Sequence, residues 1–181
     1  MPNFTFLAQN NDKDSYVKQA CLLAMSIRAT NKESKICLIT NDKVPTNFEH
    51  LFDDIVPIPF QDTAKHDKWK VQNRWKIYHA TPYEETFVMD TDMLVLQDLT
   101  NWWNLMQNYE VFLTTKPKTY RQEKIVDKYY RPSYVANDLP NVYCAIHYFK
   151  KSAFAKQFYT WLELVMKNHE TFYKLYSPKK Q

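Results

Sequence analysis

The 181-residue chain contains no glycine, where about 7% is usual. Every backbone position that needs a positive φ must therefore be filled by a residue with a Cβ. Asn and Asp tolerate that conformation best, so they are expected at the tight turns. The absence also removes whole function classes. Phosphate loops and dinucleotide fingerprints need glycine for close backbone approach, so neither a Walker A loop nor a GxGxxG turn can be present.

Apolar patterning supplies the order of elements. Phe4 to Gln9 is a short apolar run read as a first strand. Asn10 to Asp14 follows as a polar loop, and Asp14 or Ser15 is expected to cap the next helix, where Val17, Cys21, Ala24 and Ile27 recur at helical spacing. Lys35 to Thr40 reads as a second strand and Asp54 to Pro59 as a weaker one, its prolines placing it at an edge. Asp67 to Ala80 reads as a helix with Val71, Trp75 and Tyr78 on one face, ended by Pro82. Glu85 to Met89 is a buried strand, and Met93 to Leu96 is expected to resume it. A short helix around Trp102 and Trp103, strands at Tyr109 to Thr114 and Val142 to Phe149, and a long helix capped by Ser152 complete the chain. That last helix is expected to bury Phe154, Phe158, Trp161 and Val165. Strands alternating with helices give a single α/β domain over residues 1–181 with a mostly parallel sheet.

The sharpest local feature is Asp90-Thr91-Asp92, which begins where the apolar run Phe87-Val88-Met89 stops. Open α/β sheets bind ligands just past the carboxyl ends of their strands. Two carboxylates separated by one residue can there hold a divalent cation against a diphosphate. The plainer reading is that both aspartates cap a turn. Tyr16 stands at the start of the first helix, where an aromatic ring can simply cover the first turn. Arg74 carries a planar donor fork suited to phosphate, beside Lys70 and Lys76, which could equally form a solvated basic face.

These residues together resemble the family-8, glycogenin-like glycosyltransferases of GT-A fold. The resemblance runs from about Phe4 to Ser152 and is carried by Thr86 to Asn104, by Phe6 to Asn11 with Tyr16 to Ala20 and Leu23 to Ile27, and by Arg74. It implies a GT-A-like domain with a central sheet flanked by helices. It also implies transfer of a hexose from a nucleotide diphosphate sugar, UDP-linked, to an acceptor hydroxyl, with retention of configuration. On that reading Asp90 and Asp92 hold Mn²⁺ or Mg²⁺. Ala8, Gln9, Asn10, Asn11 and Tyr16 hold the nucleoside, and Arg74 and Thr91 complete the donor site. Two departures qualify the match. Tyr143-Cys144-Ala145 stands where the family has Asn-Ser-Gly or Asn-Ala-Gly beside the donor sugar. The chain also ends at Gln181, before the family's Asp-Gln element and the histidine that completes its metal shell. A donor-binding protein without turnover is therefore a parallel expectation. His147 sits on an apolar strand and reads as a core histidine in preference to a replacement ligand.

The remaining composition narrows partners. A net charge of +4 suits an anionic small molecule and is too weak to argue for nucleic acid. Lys116 to Pro140 does interleave basic residues with Tyr120, Tyr129, Tyr130 and Tyr134, which keeps a single-stranded nucleic acid binder as an alternative. A haloacid-dehalogenase-type phosphatase also places DxD after a buried strand, although Leu94 fills the position where that signature carries Thr or Val. Cys21, Cys37 and Cys144 lack metal-ligand spacing and read as buried thiols in a reducing compartment. With no signal-peptide pattern and no apolar run of membrane-spanning length, the expected location is cytoplasmic.

Overall fold

The computed structural model describes residues 1–64, 70–119, 121–123, 138, 140 and 142–176. Six strands form one sheet: β1 (Asn3–Leu7), β2 (Lys35–Ile39), β3 (Asp54–Val56), β4 (Glu85–Met89), β5 (Val111–Thr115) and β6 (Val142–Lys150), in the spatial order β3-β2-β1-β4-β6-β5. β1 runs parallel to β2 and β4, and β2 parallel to β3. β6 is antiparallel to both β4 and β5, so it alone is reversed. The mostly parallel α/β sheet expected from the alternation of elements is present, and β3 lies at the edge as its flanking prolines require.

Alternate strand residues feed two hydrophobic layers, as a period of two demands. Phe4, Phe6, Ile36, Leu38, Phe87, Met89 and Tyr148 point to one face, where they meet α1 (Tyr16–Thr30) and α3 (Thr100–Met106). Cys37, Ile39, Val88 and Phe149 point to the other, against α2 (Ile77–Ala80) and α4 (Ala153–Lys167). A last helix, α5, spans His169–Tyr176. Thr5 and Thr86 are buried polar residues inside the sheet, and both are satisfied through Thr81, at 3.1 and 3.2 Å. Among the described residues no helix is long and apolar enough to cross a membrane.

Four local expectations are corrected. The segment after Asp90 does not resume as a strand. β4 already has β1 and β6 as neighbours. The chain turns over α1 instead, with the Val95 N–H donating to Ser26 Oγ at 2.9 Å and Leu94 and Leu96 left exposed. The helix read over 67–80 begins outside the described residues and is a 3₁₀ helix over Lys70–Lys76 before α2. Its tighter three-residue period buries Asn73, Trp75 and Lys76 and exposes Val71. Ser152 does cap α4, accepting from the Ala155 N–H at 3.1 Å. The helix is rotated, however: Ala155 and Tyr159 are buried while Phe154 and Trp161 are more than half exposed and Val165 is 39% exposed. Finally, Cys21 and Cys37 are buried as expected but Cys144 is exposed.

The absence of glycine is met differently from the expectation. Among the described residues Phe60, Gln61, Lys116, Gln122 and Asp138 have φ between 50° and 65°, and Asp138 alone is of the tolerant type. A side chain with a Cβ in this region costs on the order of 1 kcal/mol. At exposed Lys116, φ 54°, Lys116→Gly should relieve that crowding. The expected gain is about 0.5–1 kcal/mol, which raises the melting temperature by roughly 1–4 °C. An unchanged or lowered melting temperature would show that the relief does not exceed the entropy glycine adds to the unfolded chain.

Candidate functional site

The carboxyl ends of β1 and β4 lie side by side, because Phe4 pairs with Phe87 and Thr5 with Val88. The residues just beyond each strand are therefore brought together. A cavity of about 240 Å³ opens at this point, lined by Gln9, Tyr16, Lys70, Arg74, Asp90, Thr91 and Asp92, with Leu7 and Val71 as its apolar wall. Six residues singled out in the sequence thus meet in one pocket. The adjoining cleft, about 520 Å³, shares Gln9 and Lys70 with it and adds Asn10, Asn41, Asp42, Gln61 and Asp62.

Arg74 and Asp90 form the electrostatic centre of the pocket. One guanidinium nitrogen lies 2.8 Å from Asp90 Oδ1 and another donates to Cys144 Sγ at 3.2 Å. Both partners are partly exposed, at 33% and 28% of their side-chain surface. Burial raises the Asp90 carboxyl above the ordinary carboxylate range and the charge of Asp92 adds to this, while Arg74 pulls it back. Burial works against the Arg74 cation, but Asp90 and Cys144 outweigh it and the guanidinium stays charged. The Asp90 N–H donates to the Ala145 carbonyl at 2.9 Å, which ties the start of the triplet to β6. Asp92 is exposed, and Thr91 is buried with its hydroxyl 3.4 Å from Gln19 Oε1.

The loop after β1 is built by its own amides. Ser15 stands at the helix N-cap but its side chain makes no capping bond, and Asp14 does not supply one either. Asn10 Oδ1 takes the Val17 N–H at 3.1 Å instead, while Asn11 Oδ1 takes those of Lys13 and Asp14 at 2.8 and 2.7 Å. This capping fixes the entry of α1 and with it half-buried Tyr16. Ala8 is fully buried with its N–H given to the Ile39 carbonyl, and neither Ala8 nor Asn11 lines the pocket. Gln9 does line it, but both ends of its amide are engaged, with Asp62 and Asn73. Sequence reading missed Asp62 and Asn73, because their significance lies in partners 53 and 64 residues away from them, at Gln9.

Of the triplet's two carboxylates, Asp92 is exposed and Asp90 is held by Arg74, so a hard cation held by both would have to displace that ion pair. No group of three or more His, Cys, Asp or Glu side chains suited to a metal occurs among the described residues. The remaining coordination would fall to water and a bound diphosphate, a pattern usual for ions such as Mg²⁺. His147 does not join Asp90 and Asp92 in the cavity wall. It lies half-buried between Val88 and Leu113, with Nδ1 3.1 Å from the Cys144 carbonyl.

Burial, helped by the positive charge of Arg74, pushes the His147 pKa down to about 4, against the pull of the Cys144 carbonyl. An unfolded chain protonates this histidine near 6.5 and the folded one only near 4. Its contribution to stability is therefore complete above pH 6.5 and lost as pH falls toward 4. His147→Gln should flatten that part of the stability profile, removing on the order of 2 kcal/mol of pH dependence in urea melts. Parallel profiles for the two proteins between pH 6.5 and 4 would contradict this placement.

No family model and no curated protein matches the chain. Solved structures do. A crystal structure of the glycosyltransferase GlyE from Streptococcus pneumoniae TIGR4 matches with a TM-score of 0.59 and 15% identity, over 99% of this chain and 44% of GlyE. Its apo form matches at 0.59 and 16%, over 94% and 40%. An active-site mutant of LgtC matches at 0.61 and 14%, over 99% and 66%. The chain spans less than two thirds of the length of these proteins. What it shares with them is the fold, GT-A-like and built in this chain on a six-stranded, mostly parallel sheet.

Proposed function

We propose that the chain is a glycosyltransferase domain that takes a hexose from a nucleotide diphosphate sugar, with UDP as the nucleotide, to an acceptor hydroxyl. The observation that carries this reading is the meeting of Tyr16, Arg74, Asp90 and Asp92 in one pocket at the carboxyl ends of β1 and β4. The charges there support a metal requirement. Asp90 and Asp92 balance Lys70 and Arg74, so the wall is neutral by itself. A divalent cation, Mn²⁺ or Mg²⁺, would bring it to +2 and match a diphosphate ester. Bound there, the ion would neutralise the diphosphate as it leaves.

The chain's own residues then have separate tasks. Tyr16 offers its ring to the base, held in place by the Asn10 cap on α1. Arg74 can release Asp90 to the cation and turn its fork to a phosphate or sugar oxygen. Lys70, whose Nζ donates to the Ala64 carbonyl at 2.7 Å, adds positive charge at the rim. Retention of configuration follows from the family resemblance alone.

Donor binding without turnover is the second reading. It is favoured by Cys144, which holds Arg74 from the position where the resembled family has Asn-x-Gly. The fold likeness favours transfer over the phosphatase alternative. Most of Lys116 to Pro140, on which the nucleic acid alternative rested, lies outside the described residues.

Calorimetric titration with UDP and UDP-sugars, with and without Mn²⁺, tests the reading. Manganese-dependent binding is expected, and Asp92→Asn should abolish the metal dependence with the fold intact. The lost carboxylate ligand should weaken nucleotide binding at least tenfold. Absence of manganese-dependent binding for every nucleotide tried would sink the donor site. Release of free sugar would then separate an active enzyme from a binding module.

A further inference from the structure

Where the pocket meets its adjoining cleft, three side chains from distant parts of the chain close a ring of hydrogen bonds. Asn73, fully buried, donates through Nδ2 to Gln9 Oε1 and to Asp62 Oδ1, both at 2.7 Å. Gln9 Nε2 donates to Asp62 Oδ2 at 2.8 Å, which completes the triangle. The outer valences are also filled: Thr63 Oγ1 donates to Asn73 Oδ1 at 2.9 Å and the Ala64 N–H to Asp62 Oδ1 at 2.9 Å. Fully buried Lys76 donates to the Gln61 carbonyl, and to Thr63 Oγ1 at 3.3 Å. It thereby holds the turn where Phe60 and Gln61 adopt positive φ.

Buried polar groups are costly unless each is paired, and a ring this complete fixes geometry more than it adds stability. What it fixes is the pocket. Asn73 precedes Arg74 on the 3₁₀ helix, and Gln9 precedes Asn10, the residue that caps α1 beside Tyr16. The ring therefore joins the side of the pocket carrying Arg74 to the side carrying Tyr16. The geometry points to Asp62 and Asn73 as positioning residues that hold these two sides at a set separation, through Gln9, for one ligand to bridge. The inference rests on the donor-site reading for its ligand, a nucleoside diphosphate. It goes beyond that reading in assigning affinity to Asp62 and Asn73, neither of which lines the pocket of Tyr16, Arg74 and Asp90.

The bond between Gln9 and Asp62 can be reversed without changing net charge. D62N alone leaves two amide donors facing each other, and Q9E alone two carboxylates. With Q9E and D62N together the amide at 62 donates to the carboxylate at 9, which still accepts from Asn73, while the carbonyl oxygen at 62 still accepts from Asn73 and from the Ala64 N–H. D62N should weaken UDP binding in Mn²⁺ buffer about tenfold. Hydrogen exchange at the Asn10 and Asn11 amides should quicken in each single variant and recover in the double one. Mn²⁺ affinity of D62N without nucleotide should stay constant, since Asp90 and Asp92 are untouched.

A folded D62N that binds UDP as wild type does would overturn the inference, as would a double variant whose exchange is no slower than that of the single variants. If wild type binds no nucleotide, the donor reading fails and the exchange data alone decide. Faster exchange in the single variants, restored by the swap, upholds the clamp, and unchanged exchange removes it. Should Q9E not fold, D62N and the double variant carry the same comparison.

Discussion

The architecture depends on β1 and β4 lying side by side at the centre of the sheet and being buried from both faces. Phe4 and Phe87 stack across the pair, with ring centroids 5.3 Å apart. Their neighbours Thr5 and Val88 face the other layer, where Thr5 needs Thr81 to satisfy its hydroxyl. Parallel pairing makes both strands end on the same edge. Everything chemical in the molecule follows from that edge, because the loop after β1 and the triplet after β4 have nowhere else to go. A strand crossover that reversed either one would scatter the same residues over opposite ends of the sheet.

Much of this was legible in the sequence, where a signal was local. The apolar run Phe87-Val88-Met89 is ended by the charge of Asp90, and the structure ends β4 at that point. Val17, Cys21, Ala24 and Ile27 lie on the buried face of α1 because a small-residue stripe leaves a helix one way to pack. The errors came where an apolar pattern was wider than the face it serves. In α4 Phe154, Phe158, Trp161, Leu162, Leu164 and Val165 span an arc of about 160°, and the sheet meets only one edge of it, where Phe158 and Leu162 are partly buried. The sheet took the side with small Ala155 and with Tyr159, whose ring lies 5.0 Å from that of Phe149. The burial of Asn73 and Lys76 was illegible for the opposite reason. Their partners are at Gln9 and at Gln61 to Thr63, and no window of local sequence contains both ends.

Glycine's absence shapes the site as well as the turns. A glycine-rich loop would bring backbone N–H groups to a phosphate, whereas this chain places side chains and two carboxylates there. The wall is neutral by itself, and the proposed donor site would make metal and diphosphate mutually dependent guests. Elsewhere the chain accepts positive φ at Phe60 and Gln61 and holds them through Lys76 and the aromatic stack of Phe60 on Trp75, at 5.9 Å between ring centres.

The central claim is that Asp90 and Asp92 hold a cation against a nucleotide diphosphate whose base lies on Tyr16. A crystal grown with UDP and Mn²⁺, measured for manganese anomalous scattering, addresses it directly. The account predicts an anomalous peak within coordination distance of Asp90 and Asp92, with the diphosphate on its open side and the base against the Tyr16 ring. A peak elsewhere, or nucleotide bound away from Tyr16 and Arg74, would contradict it.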